Sequence, residues 1–193
     1  MRVAVTRVAL MGRVFDVIDD ELAGWIAAQP MFFVASAPLS GDGHVNVSPR
    51  GKDCLSVLGP TTVAWVDFTG SGVETIAHLR ENGRVTLMWC AFSGPPRIVR
   101  VHGQGEVALP GSSRYDEVVA RHPISQSTRA VIVVEATRVS DSCGYGVPLM
   151  DLVGERDQME RWAQSKGPDG VLAYRAQRNA HSLDGLPGLP VAP

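Results

Sequence analysis

The sequence predicts a mainly β chain with interspersed helices, its six strands closing into an antiparallel barrel. Three observations carry this. Six runs rich in β-branched, aromatic and other apolar residues recur along the chain, mostly joined by hairpin-length turns of Gly, Pro, Ser and Asp. The helical segments do not alternate regularly with strands, as a doubly wound parallel sheet requires. A length of 193 residues with 45% hydrophobic content is enough for one core and one domain of ordinary size.

The elements follow in order. A helix is expected over residues 16–28, with Asp16, Asp19, Asp20 and Glu21 in its first turns, where carboxylates complement the positive end of the dipole. Leu22, Trp25 and Ile26 share a face, and Pro30 stops the helix. MFFVASA (31–37) and HVNVSPRG (44–51) flank the turn Ser40-Gly41-Asp42-Gly43 and read as a hairpin whose second strand ends or bulges at Pro49. TTVAWVDF (61–68) is a third strand, followed by the loop TGSG (69–72) and a short helix over 73–81 that ends at Asn82-Gly83. RVTLMWCAF (84–92) and RIVRVHGQGEVAL (97–109) continue the sheet, with Gly103 and Gly105 marking a bend or bulge in the second. A helix over 112–121 precedes the last strand, AVIVVEATRVS (130–140). Two further helices, 155–166 and 169–179, are expected on either side of Gly167-Pro168, before a tail rich in Pro and Gly.

Residues 1–12 are expected to be an N-terminal extension, because the segment opening at Met11, MGRVFDVIDDELAGW, itself reads as a protein start. The barrel then occupies 13–150, and 151–193 form a C-terminal helical extension packed on it or on a second subunit. Eighteen basic against twenty acidic residues leave a net charge of −2, which argues against nucleic acid or an anionic membrane as partner and for a small-molecule site. Three dispersed cysteines, Cys54, Cys90 and Cys143, make no C-x-x-C and fit neither a zinc ribbon nor a disulfide framework; this usage points to the reducing cytoplasm. No window reaches the ~18 apolar residues of a membrane span.

Two segments carry candidate chemistry. The loop Thr69-Gly70-Ser71-Gly72, between a strand and a helix start, suits an anion: glycines admit close approach, hydroxyls donate, and the helix presents unpaired N–H groups. The same residues also suit an ordinary tight connection with Ser71 as N-cap. Asn46-Val47-Ser48-Pro49-Arg50-Gly51 brings polar groups and an arginine to a strand, either to meet a planar heterocycle and a phosphate or as a solvated edge. Arg97 and Arg100 project to opposite faces of one strand. The histidines show no metal-ligand spacing, so no metal site is expected, and Ser48 and Ser71 lie outside any nucleophile-elbow motif. Cys143 lies in a glycine-shaped loop after the last strand.

In order and spacing, HVNVSPRG, DFTGSGVETIAHLRENGRVTLMWCAF and PPRIVRVHGQGEV together resemble the pyridoxamine 5'-phosphate oxidase-like family of flavin-binding split barrels, over about residues 31–140, and SCGYGVPLM with the C-terminal helices resembles an uncharacterised branch of it. The resemblance implies a six-stranded Greek-key split barrel that forms a homodimer, with FMN at the interface touched by both chains. It places Asn46, Val47, Ser48 and Arg50 along the flavin ring and ribityl chain, Thr69, Gly70, Ser71, Gly72 and Thr75 at the ribityl and phosphate, and Arg97 on the neighbouring strand. One departure stands out: where the vitamin-processing oxidases have a Ser-Arg-Lys phosphate grip, this chain has Val73-Glu74-Thr75. Their C-terminal substrate grip is not evident among Arg175, Arg178 and His181 either. The implied function is an FMN-dependent oxidoreductase acting on a small organic substrate, with no side chain obliged to act as acid or base. The alternatives are a non-catalytic flavin or haem carrier, with His44, His78, His102 or His181 as axial ligand, and a deazaflavin-dependent reductase, whose anionic cofactor tail would need a basic groove.

Overall fold

The computed structural model describes residues 12–123 and 125–190; the expected N-terminal extension lies outside the described residues except for Gly12. The chain runs β1 (Val14–Phe15), α1 (Asp20–Ala27), β2 (Met31–Ser36), β3 (Asn46–Gly51), β4 (Leu55–Val57), β5 (Thr62–Phe68), α2 (Glu74–Asn82), β6 (Arg84–Cys90), β7 (Ile98–Ala108), α3 (Ser113–Val119), β8 (Thr128–Ser142) and α4 (Gln158–Arg178). Among the described residues eight strands form one antiparallel sheet where six were expected. The two additions are the two-residue β1, paired with β8, and the three-residue β4, paired with β5; both are too short to show a periodicity.

The sheet order is β3-β2-β6-β7-β8-β5-β4, so β3 and β4 are its edges. Pro49 lies inside β3 opposite Phe33 without a break in register, contrary to the expected end or bulge. An edge strand tolerates a residue with no N–H, because only one side of its ladder is paired. The bulge expected in the 97–109 run falls between His102 and Gly103. A Cβ at Gly103 would press on the Glu135 backbone and come within 2.8 Å of Val134 Cγ1, so the close approach of β7 to β8 requires glycine.

Helix α1 starts later than expected because Asp19 is its N-cap, its side chain accepting from the Leu22 N–H at 2.9 Å. Leu22 and Ile26 enter the core, whereas Trp25 is only partly buried. Inside the curl, Phe32 stacks on Trp89 at 5.7 Å and meets Trp65 edge-on at 6.0 Å. Truncating any of the three to alanine is expected to cost about 3–5 kcal/mol. Helix α4 is kinked at Gly167, where φ is 68°, at the break expected from Gly167-Pro168, and residues 151–157 before it carry no regular secondary structure, so the helix expected from 155 starts only at Gln158. No helix among the described residues is long and apolar enough to cross a membrane.

Candidate functional site

Edge strand β3 meets β5 across a buried carboxylate. Asp67, near the end of β5, is fully buried, with Arg50 Nη2 at 3.0 Å on one oxygen and Arg129 Nε at 2.7 Å on the other. Arg50 belongs to edge strand β3, so this pair closes the curl where no backbone ladder does. Arg129 reaches Asp67 through a register shift: Asp67 pairs with Ala130 but Phe68 with Thr128, leaving Arg129 as the extra residue of a bulge that aims it inward. Burial pushes the Asp67 carboxyl up, but the guanidinium groups of Arg129 and Arg50 together outweigh burial and hold it below the usual carboxylate range. One carboxylate shared by two guanidinium groups leaves this trio with one positive charge, which the carboxylate of Glu74 faces from the first turn of α2.

Beside this cluster lies a cleft of about 320 Å³ lined by Ser48, Arg50, Gly70, Ser71, Gly72, Glu74, Thr75 and Arg129, among others. It adjoins a larger, more apolar chamber of about 580 Å³, reached past Pro49, Arg50 and Gly70 and walled by Phe68, Phe92, Met31, Met150 and Leu152. Segment 150–156 is pinned at both ends: the Met150 N–H donates to the Phe92 carbonyl at 2.9 Å, and Lys52 Nζ donates to the Arg156 carbonyl at 2.7 Å while pairing with Glu160 at 2.9 Å. Lys52 holds this clasp from a left-handed backbone, φ 68°.

The structure thus brings the two sequence-predicted segments together, but not every residue in them. The amide of Asn46 donates to Thr75 Oγ1 at 3.1 Å and accepts from Ser48 Oγ at 3.3 Å, tying β3 to the first turn of α2. Val47 does not face the cleft: strand alternation puts it opposite Asn46, Ser48 and Arg50, and it is 61% exposed. The Thr69 hydroxyl is already engaged, donating to the Ser127 carbonyl at 2.8 Å and accepting from Arg175 Nε at 2.8 Å. Arg97 does not line the cleft in this chain, because Asp141 holds it at 3.2 Å and its guanidinium lies over Phe15 and Trp25. The N-cap of α2 is Val73, not Ser71, and no side chain among the described residues caps it. Glu74, at the position of the departed cationic grip, accepts the Leu183 N–H at 3.3 Å. Of the histidines, His44 bonds Asp184 at 2.6 Å, His78 turns into the core towards Ser36 at 3.0 Å, His102 bonds Thr86 at 3.0 Å, and His181 is bridged to Pro187.

The sequence model described as pyridoxamine 5'-phosphate oxidase matches residues 18–143. A pyridoxamine 5'-phosphate oxidase family protein of Aspergillus flavus, ustO, is 43% identical over 192 residues, covering 91% of this chain and 77% of that protein. The chain belongs to the pyridoxamine 5'-phosphate oxidase family. Its fold is that family's split barrel, and two solved structures show the same architecture at a TM-score of 0.50. One is HupZ of Group A Streptococcus, 19% identical, covering 64% of this chain and 98% of that one. The other is a candidate pyridoxamine 5'-phosphate oxidase of Lactobacillus delbrueckii, 17% identical, covering 67% and 98%.

Asp67, Arg129 and Asn179 are residues that sequence reasoning missed, and Arg175, considered there only for a substrate grip, instead holds Thr69. A signal existed for the first two: each is a lone charge at the end of an apolar strand run, and those two runs pair. Asn179 carried no such signal, since its importance comes from where α4 ends.

Proposed function

We propose that this family member binds FMN in the paired cleft and serves as a flavin-dependent oxidoreductase for a small organic molecule. The observation that carries the reading is the pair of guanidinium groups, Arg50 and Arg129, gathered on Asp67 beside a helix start with no side-chain cap among the described residues and a glycine-containing loop. The residues fit a phosphate there. Arg50 Nε is buried without a hydrogen-bond partner among the described residues, Ser48 and Ser71 offer hydroxyls, and the space at Gly70 is open. Glu74 accepts the tail's Leu183 N–H with Oε1 while Oε2 lies against Gly72, so phosphate binding requires this side chain to swing out of the cleft.

Arg50, Ser48, Ser71, Gly72 and the first turn of α2 would hold the phosphate, with Asn46 and Thr75 fixing the strand to that turn. Gly70 and Pro49 lead into the apolar chamber, where Phe68, Phe92, Met31 and Met150 exclude water from a planar ring and its reaction partner. When bound, the flavin supplies hydride or electron transfer. The chain's own part is to hold the phosphate, orient the ring and keep the chamber dry. Two copies form the working unit on this reading; Val45 and Val47 are 72% and 61% exposed at the β3 edge, apolar surface that a second chain would cover, and Arg97 would reach a flavin only from that second chain.

Titration with FMN and with a deazaflavin, followed by absorption and flavin fluorescence, tests the cofactor. Purified chain that stays colourless and quenches neither ligand's fluorescence overturns the reading. Preference for the deazaflavin replaces FMN as the cofactor, and light scattering that finds only monomer in the loaded protein removes the second copy.

A further inference from the structure

The C-terminal arm, α4 and the tail to Pro190, lies outside the stretch that the family's sequence model matches, yet it grips the loop Thr69–Gly72. Asn179 is fully buried and uses both ends of its amide: Oδ1 accepts from Arg129 Nη1 at 2.9 Å and Nδ2 donates to the Gly70 carbonyl at 3.0 Å. Arg129 Nη1 also donates to the Gly72 carbonyl at 2.8 Å. The arm is itself locked, since the Leu189 N–H donates to the Asn179 carbonyl at 2.8 Å and Gly188 packs against Val73 too closely for a Cβ.

In a trans peptide the C=O and N–H point in opposite directions. Drawing the carbonyls of Gly70 and Gly72 towards Asn179 and Arg129 therefore turns the N–H groups of Ser71 and Val73 away from them. Among the described residues neither N–H meets an acceptor. Two outward N–H donors two residues apart, backed by a fixed guanidinium, make an anion cradle.

We propose that Asn179 is the positioning residue that presets this cradle, so that phosphate affinity is governed from the arm. The inference rests on the flavin reading for the identity of its ligand but not for its geometry. Asn179→Asp is isosteric: it keeps an acceptor for Arg129 but replaces the donor to Gly70 with a repelling oxygen. It is expected to weaken FMN binding at least tenfold while leaving riboflavin, which has no phosphate, within twofold. A merely structural lesion would weaken both alike. A thermal shift with inorganic phosphate gives a flavin-free readout: phosphate is expected to raise the wild-type melting temperature and to leave Asn179→Asp unmoved. Ser71→Pro deletes one of the two N–H groups without touching the arm and is expected to show the same loss, which covers the case in which the Asn179 variant fails to fold. Wild type that ignores flavins but responds to phosphate, with the response lost in both variants, sinks the flavin reading and keeps this one. An unchanged FMN-to-riboflavin ratio and phosphate response in the variants, or no phosphate response in wild type, overturns it.

Discussion

Replacing Asp67 with asparagine leaves two guanidinium groups facing a neutral amide, one of them, Arg129, only 3% exposed. Removing one partner from a buried ion pair costs about 3–5 kcal/mol, because the remaining charge keeps its desolvation penalty without its counter-charge. The Arg129 contact, at 2.7 Å and nearly dry, carries most of this. The Arg50 contact, at 3.0 Å with 21% of that side chain exposed, is partly screened by water and counts for less. In a protein of this size each kcal/mol moves the midpoint by about 2–4 °C, so Asp67→Asn is expected to melt roughly 6–20 °C below the parent at pH 7. Arg129→Met should approach that loss and Arg50→Met should fall well short of it. Circular dichroism melts and urea titrations give the numbers. The sign with pH follows from the lowered folded value: the stabilisation is complete above the ordinary aspartate range and is lost as pH falls through the folded value, so the variant's acid arm should be flatter than the parent's. A midpoint within 2 °C of the parent, or equal losses from the two arginines, would refute the account of the seam.

Three further outcomes follow from other features. Gly103→Ala is expected to cost about 1–3 kcal/mol in urea titrations, since its methyl group would meet the Glu135 backbone and Val134, neither a flexible side-chain tip. Lys52→Gly relieves a left-handed residue worth about 1 kcal/mol and gives up a partly exposed ion pair worth about 0–1 kcal/mol, so stability should barely change. Trypsin, however, should cut after Arg156 sooner, because the clasp on segment 150–156 is gone; unchanged cleavage would show that the clasp does not hold it. At pH 8 a thiol reagent should find one fast cysteine, the exposed Cys143, because burial raises the Cys90 thiol and pushes Cys54 up to about 12.

Much of the fold was legible because strands such as Thr62–Phe68 and helices such as Glu74–Asn82 announce themselves through β-branched runs, caps and glycines. The break at Gly167 and the bulge at Gly103 were visible for the same reason. The two short strands were not, because a two- or three-residue pairing is decided by its neighbour. The site was legible as two loops and not as a charge arrangement. Arg50 could be read as a phosphate ligand or a solvated edge, but its pairing with Asp67 depends on how far the sheet curls. Arg129 is aimed by a bulge set by the register of β5 on β8. Arg97 looked available because its partner, Asp141, stands on another strand.

A curl closed by an ion pair, with no ladder between β3 and β5 among the described residues, has that join at the place where it would hold its guest. Whatever anion settles there on Arg50 rivets the join, so occupancy and heat resistance should rise together, by RT ln(1 + [L]/Kd) for a ligand that ignores the unfolded chain. Screening small anions for the one that most delays melting would therefore nominate the natural guest without any knowledge of the reaction.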